Sequence, residues 1–387
     1  MNQNGHDLNQ KEILIVDDTP DNLRLLSKIL AENGYRVRAA TGGQRALDSA
    51  CLAPPDLILL DIKMPGMDGF DTCAALKLDR KLREIPVLFI SALDDVADKV
   101  RAFKTGGVDY ITKPFQPEEV LARVETHLSL RDFQQRLERA NCKMVQELNL
   151  AGKVQASFLP DKLPKAAGWE FAVTLMPARE TSGDFYDVFT LPDGRLGILV
   201  ADVVDKGVCA ALFMALTYAL MRSHAAEQGL EPSAVFRVVN DYILHDTHAN
   251  QFVTVFYGIL DAVTGRLVYS NAGHCPGLLI SPSNGGGVRR LTITGMPLGI
   301  PEDGEWEQRE VVLGAGDLLL LYTDGVIDAE NEAVRPYGLE RLASRAAGLM
   351  GKTAEAFKDG ILSDIMQFAG NRPLFDDLVL FAVSRLW

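Results

Sequence analysis

ILIVDD, at residues 13–18, is the stretch that decides the fold of the first third of the chain. Four apolar residues in succession are followed by two aspartates, and wholly apolar runs of this length are typical of parallel strands buried on both faces. Apolar residues then recur at helical spacing from Leu23 to Leu30, and Gly34 stands where a helix C-terminal glycine is expected. The stretch and its surroundings therefore predict a buried strand followed by an amphipathic helix.

The same alternation of a short apolar run with a helical pattern recurs four more times before residue 127. The later strands are predicted at Tyr35–Ala40, Leu57–Leu60, Val87–Ile90 and Tyr110–Thr112. Strands that alternate with helices are typical of a doubly wound parallel sheet with helices on both faces. We therefore expect residues 11–127 to form an α/β domain with a five-stranded, flavodoxin-like sheet, preceded by a disordered tail at residues 1–10.

Polar side chains stand at the carboxyl ends of these predicted strands, where ligands bind in doubly wound folds. They are Asp17, Asp18, Asp61, Ser91 and Lys113. Three carboxylates that lie close together cannot all stay ionised without a cation, and oxygen ligands of this kind suit Mg²⁺. A lysine adds a point charge for a phosphoryl oxygen. These residue types indicate a site that phosphorylates Asp61.

Residues 11–127 resemble the receiver domain of two-component response regulators over their whole length. The resemblance rests on ILIVDD at 13–18, DIKMPGMDG at 61–69, SA at 91–92 and YITKPF at 110–115. It implies that Asp61 accepts a phosphoryl group from a sensor histidine kinase or a phosphotransfer protein. It also implies that Asp18, Asp61 and the Lys63 carbonyl hold Mg²⁺, with Asp17 in the same acidic pocket.

Three further positions carry over from the receiver family. Ser91 and Tyr110 correspond to the switch pair that reorients on phosphorylation, and Lys113 corresponds to the lysine that contacts the phosphoryl group. The bond between Lys113 and Pro114 matches the family's lysine–cis-proline step. The resemblance thus implies a phosphorylation switch in the first third of the chain.

The composition limits the possible partners. The chain has 387 residues, with 39 Lys and Arg against 52 Asp and Glu, so its net charge is −13. Such an acidic chain repels phosphate backbones and anionic lipids, which disfavours nucleic acid or a membrane surface as the main partner. The five cysteines are scattered, and no apolar run approaches the ~20 residues that span a bilayer. We therefore expect a reduced, cytoplasmic protein.

Residues 128–158 carry a narrow apolar stripe at near-heptad spacing. The segment contains no proline, and polar residues occupy its other faces. An isolated helix with such a stripe needs a partner to cover it. Two interpretations stay open: a long amphipathic helix that lies on one of the domains, or a coiled-coil linker that joins two chains in a homodimer. We favour the coiled coil.

After Pro160 the pattern of apolar residues changes from helical to mostly β-like. Short β-like runs recur between glycine-rich turns, and two helical stretches lie at about residues 208–228 and 233–246. This pattern predicts an α+β domain at residues 159–387, built as a β-sandwich flanked by helices.

Several aspartates of this second domain stand beside small residues near predicted strand ends. They are Asp184, Asp202, Asp324, Asp376 and Asp377. Because no histidine or cysteine accompanies them, they suggest an oxygen-rich site for Mg²⁺ or Mn²⁺, and two such ions can activate a water for phosphate hydrolysis. By residue chemistry alone, turn aspartates with structural roles are an equally good interpretation, since Asp-Gly is common in hairpins.

Residues from about 147 to 387 resemble PPM-type Ser/Thr phosphatases of the bacterial sporulation and stress-response branch. The resemblance rests on ELNLA at 147–151, FLP at 158–160, GDFYD at 183–187, ADVVDKG at 201–207, SNAGHCP at 270–276, GMPLG at 295–299, YTDG at 322–325 and FDD at 375–377. It implies a metal-dependent protein phosphatase with two Mn²⁺ or Mg²⁺ ions. Asp202 would bridge both ions, the Val203 carbonyl would be a further ligand, and Asp324 and Asp376 would complete the sites.

Two more aspartates carry over with less defined roles, and two positions depart from the family pattern. Asp184 would act on the metal directly or through water, and Asp377 is the acidic neighbour of the last ligand. Asp205 stands where the family usually has glycine, which adds a negative charge near the metals. The phosphate-binding arginine of eukaryotic members has no clear equivalent, and Arg179 is a weak candidate.

Together the two resemblances imply a response regulator whose phosphorylation controls a phosphatase. The substrate would be a phosphoserine or phosphothreonine protein, and the family points to an anti-sigma-factor antagonist. The alternative is a catalytically weak adaptor, gated by phosphorylation, that sequesters a protein of the sigma-factor pathway.

Overall fold

The structure is a computed structural model, and it describes residues 11–91, 96–227, 230–246, 251–282, 287–300 and 304–387. The predicted disordered tail at residues 1–10 lies outside these residues. The chain divides into two compact units, the first ending at Cys142 and the second beginning at Lys143.

The first unit is a parallel sheet covered by helices on both faces. Its strands are β1 (Glu12–Val16), β2 (Arg36–Ala40), β3 (Leu57–Asp61), β4 (Val87–Ser91) and β5 (Asp109–Thr112), in the order β2-β1-β3-β4-β5. Between them run α1 (Pro20–Glu32), α2 (Gly43–Leu52), α3 (Gly69–Leu78) and α4 (Val96–Lys104). Strands β1, β3 and β4 contribute side chains to a separate apolar cluster on each face of the sheet. The predicted flavodoxin-like fold is confirmed.

The helix that follows β5 is continuous for 40 residues. Helix α5 runs from Pro117 to Ala156, so it begins inside the domain predicted at residues 11–127 and continues through most of the linker predicted at residues 128–158. Its apolar stripe is largely exposed: Phe133 is 64% exposed and Leu137 is 72% exposed. The predicted long helical linker is therefore present, while the homodimer that it would mediate stays a prediction.

The second unit contains two five-stranded antiparallel sheets. The first has the order β13-β10-β9-β8-β7, and the second has the order β12-β11-β14-β15-β6. The strands, in chain order, are β6 (Trp169–Met176), β7 (Phe185–Thr190), β8 (Leu196–Val203), β9 (Val253–Leu260), β10 (Arg266–Ala272), β11 (Gly277–Ile280), β12 (Val288–Leu291), β13 (Arg309–Val312), β14 (Leu318–Tyr322) and β15 (Leu378–Arg385).

The two sheets pack face to face, and helices cover the outer face of each. Side chains such as Ile198 of the first sheet and Phe381 of the second share one apolar cluster. Helices α6 (Val208–Ala225) and α7 (Pro232–Asp246) pack on the first sheet. Helices α8 (Asp324–Ile327), α9 (Leu339–Gly348) and α10 (Ala354–Ala369) pack on the second. The predicted β-sandwich flanked by helices is confirmed.

Helix α6 is long and apolar enough to cross a membrane, although the sequence was expected to contain no such run. Within the second unit, 39% of its residues are buried. A single helix of this kind is weak evidence for a membrane span, because core helices of soluble proteins share its length and composition.

His274 is fully enclosed in the turn after β10. Its Nδ1 lies 2.8 Å from Thr254 Oγ1, and its backbone N–H donates to Asn271 Oδ1 at 2.7 Å. Burial lowers the pKa of His274 from 6.5 to about 4. The imidazole is therefore neutral in the folded protein and takes up a proton more readily when the chain unfolds.

We expect this histidine to make the second unit less stable in mild acid. The pKa of His274 is lower in the folded than in the unfolded chain, so its protonation favours unfolding. This costs no stability above pH 6.5 and costs progressively more as the pH falls toward 4. The stability advantage of the parent over His274→Asn, measured as free energy of unfolding, should therefore be smaller at pH 4 than at pH 7 by roughly 3 kcal/mol. Urea titrations followed by tryptophan fluorescence measure this, because all three tryptophans lie in the second unit. A difference that does not change with pH would contradict the expectation.

Candidate functional site

The first acidic cluster lies at the carboxyl ends of β1 and β3. Asp17 and Asp18 directly follow β1, and Asp61 is the last residue of β3, which pairs with β1 in parallel. One carboxylate oxygen from each of the three lies within 4.8 Å of the others. Asp17 and Asp61 are buried, whereas Asp18 is exposed. The parallel register thus brings together the three carboxylates that the sequence predicted.

Lys113 crosses from β5 to this cluster. Its Nζ lies 2.9 Å from Asp17 Oδ2 and 3.1 Å from Asp61 Oδ1. Asp17 is further fixed by the backbone N–H of Thr19 and by Asn22 Nδ2. Burial raises the pKa of Asp61 and outweighs the opposing contact with Lys113. Burial alone would lower the pKa of Lys113, but its contacts with both carboxylates leave that pKa raised.

The donor set of this cluster fits a hard divalent cation. All three side chains offer carboxylate oxygens. Two of them are buried and the third is exposed, so the cluster is open to solvent on the side of the exposed carboxylate. Lys63 lies in the loop after β3, two residues beyond Asp61, and the role of its carbonyl stays a prediction.

The predicted switch residues lie on the neighbouring strands. Ser91 is the buried last residue of β4, and its carbonyl accepts the backbone N–H of Lys113 at 2.8 Å. Tyr110, on β5, is half-buried, with its ring against Phe103 and under the Arg123 guanidinium. The bond between Lys113 and Pro114 is cis. The switching role of the pair stays a prediction.

The second acidic cluster lies where strands of both sandwich sheets end. Asp184 stands just before β7 and Asp202 near the end of the antiparallel neighbour β8, so both lie at one edge of the first sheet. Asp324 follows β14 at the start of α8, and Asp376 just precedes β15, which pairs antiparallel with β14. The antiparallel register therefore brings each pair to a single sheet edge.

Electrostatic contacts join the two edges. The Asp184 and Asp202 carboxyl groups lie close enough to affect each other's pKa. Burial raises the pKa of Asp184, and the charge of Asp202 raises it further. Burial also raises the pKa of Asp202, and the negative charges of Asp324 and Asp376 add to this. The carboxylates of the two sheets thus destabilise one another's ionised forms, as acids do when they share a site without a cation.

Two members of the cluster have other partners. Asp376 Oδ2 pairs with Lys206 Nζ at 2.8 Å. Asp377 accepts the backbone N–H of Ala178 on one oxygen and that of Gly183 on the other, both at 2.8 Å. Asp377 therefore binds both ends of the loop at residues 177–184 to the start of β15, and so fixes the position of the loop that carries Asp184.

The second cluster fits hard divalent cations in chemistry. Asp184 Oδ2 is buried without a hydrogen-bond partner among the residues that the structure describes, so it has an open coordination position. In the described ranges, however, no three of these aspartates bring carboxylate oxygens within 4.8 Å of one another, unlike the first cluster. The Val203 carbonyl faces Gly183, where an added Cβ would lie 3.0 Å from it, and its role as a ligand stays a prediction.

Three residues of the site were missed by sequence reasoning. Lys206 lies inside the motif ADVVDKG, but its partner Asp376 is 170 positions away. Thr323 accepts the backbone N–H of Val379 at 2.9 Å and so joins β14 to β15 beside the site. Gly325 lies so close to the Asp377 carbonyl that the position has no room for a side chain. The TDG triplet at 323–325 carried the signal for the last two.

We expect Gly325→Ala to destabilise the second unit by about 1–3 kcal/mol. A Cβ built there would lie 2.0 Å from the Asp377 carbonyl oxygen, so either α8 or the start of β15 must move. The matched control is Gly348→Ala at the end of α9, where the added Cβ meets nothing within 4 Å and should stabilise by about 0.5–1 kcal/mol. Urea unfolding monitored by tryptophan fluorescence compares the two, and equal effects would refute the close approach.

Two family models match the chain. Residues 13–125 match the response regulator receiver domain, and residues 192–386, half of the chain, match Stage II sporulation protein E (SpoIIE). Among curated relatives, RsbU of Bacillus subtilis, a phosphoserine phosphatase, is 31% identical over 67% of this chain and 74% of its own length. Protein IcfG of Synechocystis is 32% identical over 62% of this chain, which spans 41% of IcfG.

Solved structures match the second unit. The RsbU and RsbW domains of Rv1364c from Mycobacterium tuberculosis align with a TM-score of 0.51 at 28% identity, covering 58% of this chain and 62% of that one. The SiaA-PP2C domain of Pseudomonas aeruginosa aligns with a TM-score of 0.57 at 21% identity, covering 64% of this chain and 99% of that one. The latter likeness shows a shared fold.

Proposed function

Because the chain belongs to the SpoIIE family and carries a response regulator receiver domain, we propose that it is a phosphorylation-controlled, metal-dependent protein phosphatase. The observation that carries the proposal is the strand register that puts Asp184 beside Asp202 in one sheet and Asp324 near Asp376 in the other, with the charges of Asp324 and Asp376 acting on Asp202. The substrate we propose is phosphoserine or phosphothreonine on a protein, and the likeness to the phosphoserine phosphatase RsbU supports phosphoserine. The protein that carries it is proposed, from the family resemblance, to be an anti-sigma-factor antagonist.

In the proposed mechanism the chain holds the cations and fixes the approach of the substrate. Asp202 would bridge two Mn²⁺ or Mg²⁺ ions, with Asp324, Asp376, Asp184 and the Val203 carbonyl around them. When bound, such ions polarise the phosphoryl oxygens and lower the pKa of a water. Asp184 is buried and Asp202 is half-buried, so in this proposal a phosphorylated side chain would approach past Asp202.

We expect Asp202→Ala to reduce Mn²⁺-dependent phosphate release from a phosphorylated antagonist protein to the background rate. Asp202 is the carboxylate whose charge acts on those of both sheets, so its loss removes the shared ligand. Asp161→Ala, at an exposed aspartate outside the site, is the matched control and should keep the parent rate. Equal rates in the parent and in Asp202→Ala would contradict the phosphatase proposal and favour the adaptor alternative.

The receiver provides the input in this proposal. A sensor histidine kinase or a phosphotransfer protein would phosphorylate Asp61, with Mg²⁺ on the first acidic cluster and Lys113 offsetting the added negative charge. The position of Lys113 Nζ, 3.1 Å from Asp61 Oδ1, supports this assignment. Phosphorylation would then bias a two-state element, here proposed to be the long helix α5.

The last turns of α5 contact the loop that leads to Asp184. Gln155 is buried, its side-chain amide donates to the Ser182 carbonyl, and its Oε1 accepts the Ser182 backbone N–H at 3.0 Å. A Cβ at Gly152 would lie 2.0 Å from the Glu180 carbonyl oxygen, so the helix lies directly against the loop. A shift of α5 would therefore move Ser182, which is two residues before Asp184. This supports α5 as the route from receiver to phosphatase.

We expect Gln155→Met to uncouple the phosphatase from the receiver. Methionine fills a similar volume but makes neither hydrogen bond to Ser182, so a movement of α5 is no longer transmitted. The ratio of phosphatase rates with and without acetyl phosphate, a small-molecule phosphodonor, should move to one from whichever side it starts, as it should in Asp61→Asn. Lys153→Met, at an exposed position of the same helix turn, should keep the parent ratio. A parent-like ratio in Gln155→Met would refute this route.

The exposed stripe of α5 supports the proposed homodimer. Leu150 and Val154 are 64% and 55% exposed, and with Leu212 of α6 they line an apolar groove of about 390 Å³ within the second unit. Apolar surface of this extent favours burial against a partner helix. Sedimentation of the full chain would detect the dimer.

A further inference from the structure

Lys206 is held by three contacts to the segment just before β15. Its Nζ lies 2.8 Å from Asp376 Oδ2 and donates to the Phe375 carbonyl at 2.7 Å. The same atom stands 4.1 Å from the centroid of the Phe375 ring, within the range of a cation–π contact. The ammonium thus reaches from the loop after β8, in one sheet, to the acidic edge of the other sheet.

The backbone of this loop directs Lys206 toward the site. Asp205 has a φ of 85° and Gly207 a φ of 84°, so the residues on both sides of Lys206 are left-handed. Asp205 Oδ1 accepts the Lys206 backbone N–H at 2.8 Å, which holds the turn from within. The lysine therefore projects from an ordered turn that ends where α6 begins.

Lys206 is the counter-charge of the second acidic cluster. Among the lysines and arginines in the described part of the chain, it is the one with a salt bridge to Asp184, Asp202, Asp324, Asp376 or Asp377. The oxygen that it contacts, Asp376 Oδ2, belongs to a residue we assign to the metal site. An ammonium and a divalent cation cannot share that oxygen at contact distance without strong mutual repulsion.

We propose that Lys206 is an internal counter-ion that occupies Asp376 in the metal-free protein and must leave this carboxylate when a divalent cation binds. This inference rests on the proposed function, because it takes Asp376 as a metal ligand. It makes the affinity for the metal the result of an exchange between two cations. Lys206 then weakens metal binding while it stabilises the metal-free fold against carboxylate repulsion.

The test measures Mn²⁺ binding by calorimetry on the full chain. An Asp18→Asn background removes the exposed carboxylate of the first cluster, so the second site dominates the titration. Lys206→Met and Lys206→Gln should each bind Mn²⁺ roughly three- to tenfold more tightly than the parent, the size expected for losing one partly exposed ion pair. The metal-free variants should also unfold at a lower temperature. Lys352→Met removes the same charge from an exposed loop and should leave both quantities unchanged.

A double-mutant cycle separates exchange at Asp376 from a general change in potential. In an Asp376→Asn background, Lys206→Met should alter the Mn²⁺ affinity by less than about twofold, because the shared oxygen is no longer charged. Unchanged or weaker binding in both Lys206 variants, or an equal gain in the Asp376→Asn background, would overturn the inference. Failure of the proposed function would give a different result: the parent protein would release no phosphate, whatever its affinity for Mn²⁺.

Discussion

Repulsion between buried carboxylates is the constraint on which both functional clusters depend. The ends of paired strands bring Asp17 to Asp61 in the first unit and Asp184 to Asp202 in the second. Burial raises the pKa of Asp61, Asp184 and Asp202, so positive charge must be supplied nearby if they are to be ionised at neutral pH. The chain meets this need twice in the same way, with one lysine per cluster and oxygens that suit a divalent cation.

Local periodicity was enough to predict most of the fold. Strands β3 and β4 end at Asp61 and Ser91, as expected, because a wholly apolar run that stops at a polar residue marks the edge of a buried sheet. Both family resemblances inferred from the motifs are confirmed by the family models. The predicted helical linker is continuous with the helix that follows β5, because the segment after His127 contains no proline and its one glycine, Gly152, lies within the helix.

The candidate sites were predictable in their aspartates and not in the contacts that organise them. Motifs name Asp184 and Asp202 because each stands beside a strand end. They do not reveal that Asp377 binds the backbone of Gly183, 194 positions earlier, or that Gln155 binds Ser182. Such pairs depend on how sheets and helices meet, and no periodicity within one segment encodes them. The metal-ligand and switch roles of the individual residues stay predictions.

The backbone at Asp205 has an evolutionary consequence. A φ of 85° is one that glycine adopts freely and that costs an aspartate energy, since its Cβ crowds the neighbouring carbonyl. Aspartate and glycine codons differ by a single base, so the unstrained residue is one nucleotide substitution away. Such a substitution would relieve the backbone and at the same time remove a negative charge, together with the oxygen that accepts the Lys206 amide, from the turn beside the site.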